Sequence, residues 1–446
     1  MSCGSVIRLA VFGAGAILVL LAATGSAQTL SGEPITLMGG RLTIGGDATL
    51  SIAPRDPGAY FNRTDYNHDT TRLLRLDLTA AFRPHPRVMF VSDIRTENAE
   101  WLRPYALYLK VTPWPDRAFD VRVGRIPPAF GAFARRNYAA DNPLIGAPLA
   151  YQYLTSIRPD AIPISADDLL RMRGRGWLTG YALGDAKFRA GLPLVNALRW
   201  DTGLEVRVGS QPLELVAALT TGTLSNPRLS DDNDGKQIAA RLAFKPSPAV
   251  TVAASAARGP FLSRQAVSAI PRDSVALTQV IVAAPPDDPY GTGPSGSYGS
   301  TTTAELAVVP AAAGAYVQRA FGLDAEFSSG YWLIRTEAIF SQWSLPAILA
   351  PYLNAPLGAV AFDVEGRYKV WPGVFLAGRV DHLHFSKVLG SSDLTTWDAP
   401  VSRVESGIGI YLRRNLIWKV VYQGNWRDGG RVRRLHVGAS QLLFWF

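Results

Sequence analysis

The chain has 446 residues, 48% of them hydrophobic, with 45 Lys plus Arg against 36 Asp plus Glu for a net charge of +9. Its single cysteine, Cys3, excludes a disulfide framework and thiol chemistry in the exported part of the chain. Beyond the N-terminus no window of ~18 uninterrupted apolar residues can cross a bilayer as a helix, which excludes a helical membrane bundle.

The first 27 residues read as a secretory signal. Arg8 is the basic start, Leu9 to Ala23 the apolar stretch, and Gly25-Ser26-Ala27 a small-residue cleavage site before Gln28. Behind an export signal the basic balance does not point to nucleic acid. Only helices or closed barrels satisfy every backbone group in lipid. An exported, aromatic-rich chain without a spanning helix is therefore a periplasmic β protein or a barrel.

Alternating segments of about ten residues, separated by turn residues, recur as in an outer-membrane barrel. The first covers 40–52, followed by 72–82, 87–96, 102–111 and 119–124. After a long irregular stretch come 198–208, 211–222, 237–244 and 249–257. Residues 259–313 form a second long loop, expected to be extracellular. The series ends with 315–327, 331–343, 360–370, 374–385, 403–412, 416–426 and 432–446. The expected fold is all-β, a transmembrane antiparallel β-barrel of sixteen strands in one domain, 28–446. A further hairpin from 274–284 and 301–309 leaves eighteen open. Short turns and longer loops alternate, so the chain begins and ends on one side of the membrane.

Acid and base stand two apart in many segments, as in Arg75 and Asp77, Asp120 and Arg122, Arg199 and Asp201, and Glu205 and Arg207. Arg335 and Glu337, Glu365 and Arg367, Arg379 and Asp381, and Arg403 and Glu405 repeat the spacing. That spacing puts both partners on one face of a strand. A basic side chain facing lipid at the midplane costs about 2–4 kcal/mol. These charges are therefore expected to line a wet lumen wall. A soluble sandwich shows the same alternation, but lacks the signal, the strand number and the aromatic end together.

Residues 125–196 are too long for an ordinary connection and mark a functional loop. Between 125 and 176 the basic residues are Arg125, Arg135, Arg136, Arg158, Arg171, Arg173 and Arg175. The acids are Asp141, Asp160, Asp167 and Asp168, which leaves a net +3. The loop is expected to fold into the bore and narrow it, with the arginines favouring anions or pairing with wall carboxylates. Arg171, Arg173 and Arg175, at alternate positions, are the foremost candidates for pore-facing charge.

Two stretches carry a resemblance. A C-terminal Phe446 closing Leu442-Leu443-Phe444-Trp445 resembles the assembly signal that barrel insertion machinery reads in outer-membrane proteins. Gly124-Arg125 leading to Pro127-Pro128-Ala129-Phe130-Gly131 is similar to the entry of the third loop in phosphate-selective porins of the O/P type. Asp201-Thr202-Gly203, Gly235-Lys236, Ala240-Arg241-Leu242 and Pro246 follow in a similar order. The resemblance implies a sixteen-stranded, trimeric channel with an inward third loop. No phosphate-site residue of that family transfers to a position here.

Other chemistry is sparse. Tyr138, Tyr151, Tyr153 and Trp177 pack the loop or stack a solute. Trp200, Trp332, Trp371, Trp418 and Tyr422 read as membrane-interface aromatics. His382 and His384 share a strand face but lack a third ligand, so no metal is assigned. Asp231 to Gly235 misses the first ligand of a calcium loop because Ser230 stands there. No catalytic constellation and no cofactor motif is present.

The expected function is an outer-membrane porin for passive diffusion of small hydrophilic solutes, anionic or neutral, with mild anion preference. The alternative is a barrel sheath around an export or electron-transfer partner such as a multihaem cytochrome.

Overall fold

The computed structural model describes residues 33–54, 71–97, 102–136, 138–197, 199–233, 235–270, 313–353, 355–430 and 432–446. The side chains of 71–73, 135–136 and 313 are outside that description, as are the expected signal segment 1–27 and the expected further hairpin of 274–284 and 301–309.

Sixteen strands make one closed sheet. They are β1 (Leu42–Ile52), β2 (Thr71–His85), β3 (Val88–Glu97), β4 (Arg103–Val111), β5 (Ala118–Ile126), β6 (Asp201–Ser210), β7 (Leu213–Thr220) and β8 (Gln237–Ser247). The second half is β9 (Val250–Pro260), β10 (Val317–Ser329), β11 (Trp332–Trp343), β12 (Leu357–Trp371), β13 (Val374–Phe385), β14 (Val401–Arg413), β15 (Leu416–Arg427) and β16 (Arg434–Trp445). Each is antiparallel to its chain neighbours, and β1 pairs with both β2 and β16, so no edge is left to recruit another chain. β9 pairs with β10 from Val250 opposite Phe327 to Pro260 opposite Val317. Both edges of each strand are thus occupied, and the wall is closed at sixteen.

The period-two pattern sets the faces. On β2, Leu74, Leu76 and Leu78 are exposed to the membrane side while Asp77 between them is buried. Cross-strand register carries that parity around the wall. Asp77 opposes Arg95, Arg122 opposes Glu205, Glu337 opposes Asp363, and Arg379 opposes Glu405. Trp332, Trp371, Trp418 and Tyr422 are exposed on the outer surface, where interfacial aromatics belong. Trp200 departs from that expectation: it is buried inside, its ring 4.9 Å from that of Tyr105. It stands one residue before β6 begins, so strand parity does not govern its direction.

Turns at one end are short, with Gly330 and Gly373 at positive φ between their strands. The C-terminus lies at this end: Gly46 and Phe446 exchange backbone hydrogen bonds of 3.0 Å. A Cβ on Gly46 would meet the Asp77 carbonyl at 2.5 Å, so only glycine lets the strands close here.

The other end carries the long loops, and the longest occupies the lumen. Inward positions on β7 to β12 are held by Ala218, Ala239, Ala257, Ala320, Ala359 and Ala361, all buried. Small side chains there leave space for Phe130, Leu149, Tyr151, Leu169, Met172 and Tyr181 from the loop. The main apolar cluster takes buried residues from β5 and from β7 to β14, and none from β1 to β4. The loop is therefore packed against one side of the barrel.

Gly322 on β10 lies under the Phe130 ring, where an added Cβ would be 3.0 Å from Phe130 Cζ. Gly322→Val is expected to cost about 1–3 kcal/mol by overpacking. The expected result is faster proteolytic cleavage within residues 127–200 in a barrel that still resists denaturant. Unchanged cleavage would show that Phe130 does not fix the loop.

Candidate functional site: the inward third loop

The loop leaves the wall because of its sequence. Pro127 and Pro128 follow Ile126, the last residue of β5, and neither can donate to the strand ladder. The chain then turns inward through Gly131 at φ +63°, a conformation that favours glycine. A 3₁₀ turn (Phe133–Arg136) and two short helices, α1 (Leu149–Gln152) and α2 (Ala166–Arg171), follow. Ser165 caps α2, its side chain accepting from the Asp168 amide at 3.3 Å.

Irregular backbone inside a barrel must find partners for its N–H and C=O groups. Wall side chains supply them at three places. On β11, Glu337 accepts from the Ala132 amide at 2.9 Å and the Tyr151 hydroxyl at 2.8 Å, while Ser255 on β9 accepts from the Gly131 amide at 3.1 Å. On β13, the fully enclosed Arg379 pairs with Glu365 at 3.1 Å and Glu405 at 2.6 Å, and donates to the Gly146 carbonyl at 2.6 Å. Glu405 in turn accepts from the Gly146 amide at 3.1 Å, and Arg403 reaches the Ala147 carbonyl at 2.9 Å and Gln152 at 3.0 Å. On β15, Lys419 donates to the carbonyls of Ala139 at 2.6 Å, Asn142 at 2.6 Å and Leu144 at 3.3 Å.

A fourth anchor comes from the loop between β13 and β14. Asp398 there accepts from the amides of Ser156 and Gly174, each at 2.7 Å. Burial raises its carboxyl above the usual range, and these amide bonds pull it back towards ionisation.

The seven loop arginines have separate surroundings. Arg158 is enclosed, pairing with Asp160 at 2.8 Å and donating to the carbonyls of Thr179 at 2.9 Å and Lys187 at 2.5 Å. Arg171 pairs with Asp168 at 2.7 Å and reaches the Gly180 carbonyl at 3.1 Å. Arg173 binds Thr396 Oγ1 at 2.8 Å and faces Asp428 at 3.5 Å. Arg175 is half-buried. Arg171, Arg173 and Arg175 do not form a row, because Arg171 ends a helix and the chain turns at Gly174 with φ +70°. Arg125 stands on β5 within electrostatic range of Arg199, Asp201 and Tyr105. Of Arg135 and Arg136 only the backbone is described.

The lumen-wall residues stand on the inner face, apart from Arg199, which precedes β6. Arg75 pairs with Glu97 at 2.9 Å, Asp77 with Arg95, Arg122 with both Asp120 at 3.0 Å and Glu205 at 3.1 Å, and Arg207 with Glu214 at 2.6 Å. Asp201 accepts from the amides of Gly222 and Arg228 at 2.9 Å, which ties down the loop after β7. Arg335 pairs with Glu326 at 3.1 Å and Glu365 at 3.4 Å, and Arg367 lies over the Phe375 ring at 5.7 Å. Tyr151 and Tyr153 are buried packing residues, whereas Tyr138 is half-buried and donates to Asp93 at 2.6 Å. His382 faces outward, 2.9 Å from Ser402, with the His384 ring 6.3 Å away. Asp231 pairs with Lys236, and Asp232 with Arg228, within the loop after β7.

Sequence reasoning passed over Lys419, Asp398 and Gln152. Lys419 had one legible mark, its inward parity with Gln423 and Asn425 on β15.

No family model and no curated protein matches the chain. Solved structures do. Outer-membrane expressed OmpT of Vibrio cholerae aligns over 92% of this chain and 100% of its own, at 10% identity and a TM-score of 0.51. A loop L8 deletion mutant of the same protein aligns over 91% and 99%, at 10% identity and a TM-score of 0.50. An anion-selective porin from Comamonas acidovorans aligns over 91% and 99%, at 9% identity and a TM-score of 0.48. At such identities the likeness to OmpT is one of fold, that of an outer-membrane β-barrel.

Lys419→Met would leave three buried carbonyls without their donor, a loss of about 3–5 kcal/mol of the kind seen when one side of a buried charged contact is removed. The expected outcome is cleavage around residues 138–146 by added protease, with the barrel still folded by circular dichroism. Protection equal to wild type would rule out Lys419 as an anchor.

Proposed function

We propose that the chain is an outer-membrane channel for passive diffusion of small hydrophilic solutes, narrowed by its third loop and mildly selective for anions. One observation carries the reading. The loop is packed mainly against β7 to β15, and the wall of β2 to β6 opposite carries inward charges that keep partial contact with water, among them Lys110, Arg122 and Arg207. The aqueous path in this reading runs between that wall and the loop.

The sign of the preference follows from how the pairs are set. Lys110 is 26% exposed against 9% for Asp120, Arg207 36% against 13% for Glu214, and Arg189 of the loop 55% against 17% for Asp185. In these three pairs the carboxylate sits deeper and the cationic tip reaches water. A permeant ion therefore meets the cations first, and field in a low-dielectric constriction favours anions. Arg75 with Glu97, at 14% and 31%, and Arg335 with Glu326, at 19% and 32%, have the opposite bias, which keeps the preference mild.

The reading includes residence in the outer membrane behind a cleaved signal, assembly through Phe446, and a homotrimer. The phosphate-selective likeness rests on the short motifs between 119 and 259 and adds no solute to the proposal. A sheath around a protein partner has less support, because the chain's own loop fills the space such a partner would need.

In a planar bilayer under a KCl gradient, the full chain is expected to give a reversal potential of anion-selective sign. Replacing Lys110, Arg189 and Arg207 together by Gln is expected to bring chloride and potassium permeability to within about twofold, with conductance retained. A cation-selective wild type would overturn the charge assignment, and no conductance at all would overturn the channel. Separately, deletion of residues 138–176 is expected to raise single-channel conductance severalfold; an unchanged value would show that the loop does not limit the path.

A further inference from the structure

The outer face of the barrel holds a charge arrangement that the channel does not use. Arg258 on β9 and Arg319 on β10 are directly opposite in the strand register, and both are exposed on the membrane side. Like charges facing each other across a strand pair repel. Among the described residues, neither guanidinium has an ion pair or a side-chain hydrogen bond, and the outward positions beside them are Ile238 and Gln342. No acid of the described wall shares the row.

Their height in the membrane is fixed by the same register. Gln342 opposes Arg319, and the exposed Trp332 begins the same strand ten residues earlier. At ~3.3 Å per residue and a tilt of ~40° that separation is about 25 Å, the height of a barrel's apolar band. Between the two levels the outward residues include Phe321, Leu323 and Phe340, all exposed to lipid. The two arginines therefore stand at the hydrocarbon boundary on the long-loop side, at the depth of lipid headgroups.

We propose that Arg258 and Arg319 form a site for the anionic phosphate headgroup of a lipid in the leaflet on the long-loop side. A phosphate between two guanidiniums accepts bidentate hydrogen bonds from both and removes their repulsion. Gln342 adds an amide donor at the edge of the same row. The lipid's chains then lie over Phe321 and Phe340, which anchors the headgroup where a free anion has no such contact.

The test is native mass spectrometry of the folded full chain in a nonionic detergent with equimolar phosphatidic acid and phosphatidylcholine. The expected result is about tenfold greater retention of phosphatidic acid, unaffected by millimolar inorganic phosphate. Arg258→Gln with Arg319→Gln is expected to abolish the preference, and the double Lys variant to keep part of it. Single-channel conductance should be unchanged in both, since the residues face away from the lumen. Arg319→Gln alone, expected to lose most of the preference, serves if the double Gln chain does not fold. Equal retention of the two lipids, or a preference that survives the Gln substitutions, would overturn the proposal. Displacement by inorganic phosphate would overturn it as well, by showing a free-anion site.

Discussion

Hydrocarbon on one face and water on the other is the constraint from which this wall follows. A strand offers alternate side chains to its two faces, so a charge at Asp77 is tolerable only because Leu76 and Leu78 beside it point the other way. A slip of one residue would put Asp77, Arg122, Glu205 and Arg379 into lipid together, which makes register the most strongly specified quantity in the molecule. Closure of β1 on β16 then removes the last unpaired backbone edge.

Within the wall, charge has two different tasks. Along β11 to β15, Glu337, Arg379, Arg403 and Lys419 are enclosed, and they spend hydrogen bonds on loop backbone: Glu337 on an amide, the other three on carbonyls. Taking such groups out of water is costly, and the cost is offset only where every donor finds an acceptor of good geometry. Here those acceptors belong to a segment without regular structure, so the wall and the loop satisfy one another. Along β2 to β6 several pairs keep contact with water, such as Arg75 with Glu97, Lys110 with Asp120 and Arg207 with Glu214.

The wall was legible in the sequence to within a few residues. The segment expected at 119–124 is Ala118–Ile126, and that at 360–370 is Leu357–Trp371. Alternation is a local property, and a single chain displays it. The position of the inward loop was also legible, because Pro127 and Pro128 interrupt the ladder in full view. The destinations of its side chains were not. Spacing of two predicts a shared direction only on a strand, and Arg171 to Arg175 lie at a helix end and a turn. The anchors were hidden for a different reason: Lys419 binds main-chain carbonyls, which every residue possesses and no residue type announces. Trp200 shows the same limit at a smaller scale, one residue outside the strand whose parity it was assigned.

The distance along the chain between the loop and its holders has a consequence for how the protein is made. Lys419 meets carbonyls 275 to 280 positions before it, and Arg403 meets one 256 positions before it. A nascent chain that has completed the loop still lacks the lysine and the arginine that hold it. The segment is synthesised long before β14 and β15 exist, and its contacts to Arg403 and Lys419 form only once those strands have joined the wall. The last of the loop's contacts and the closing of the wall are thus tied to the C-terminal strands β14 to β16.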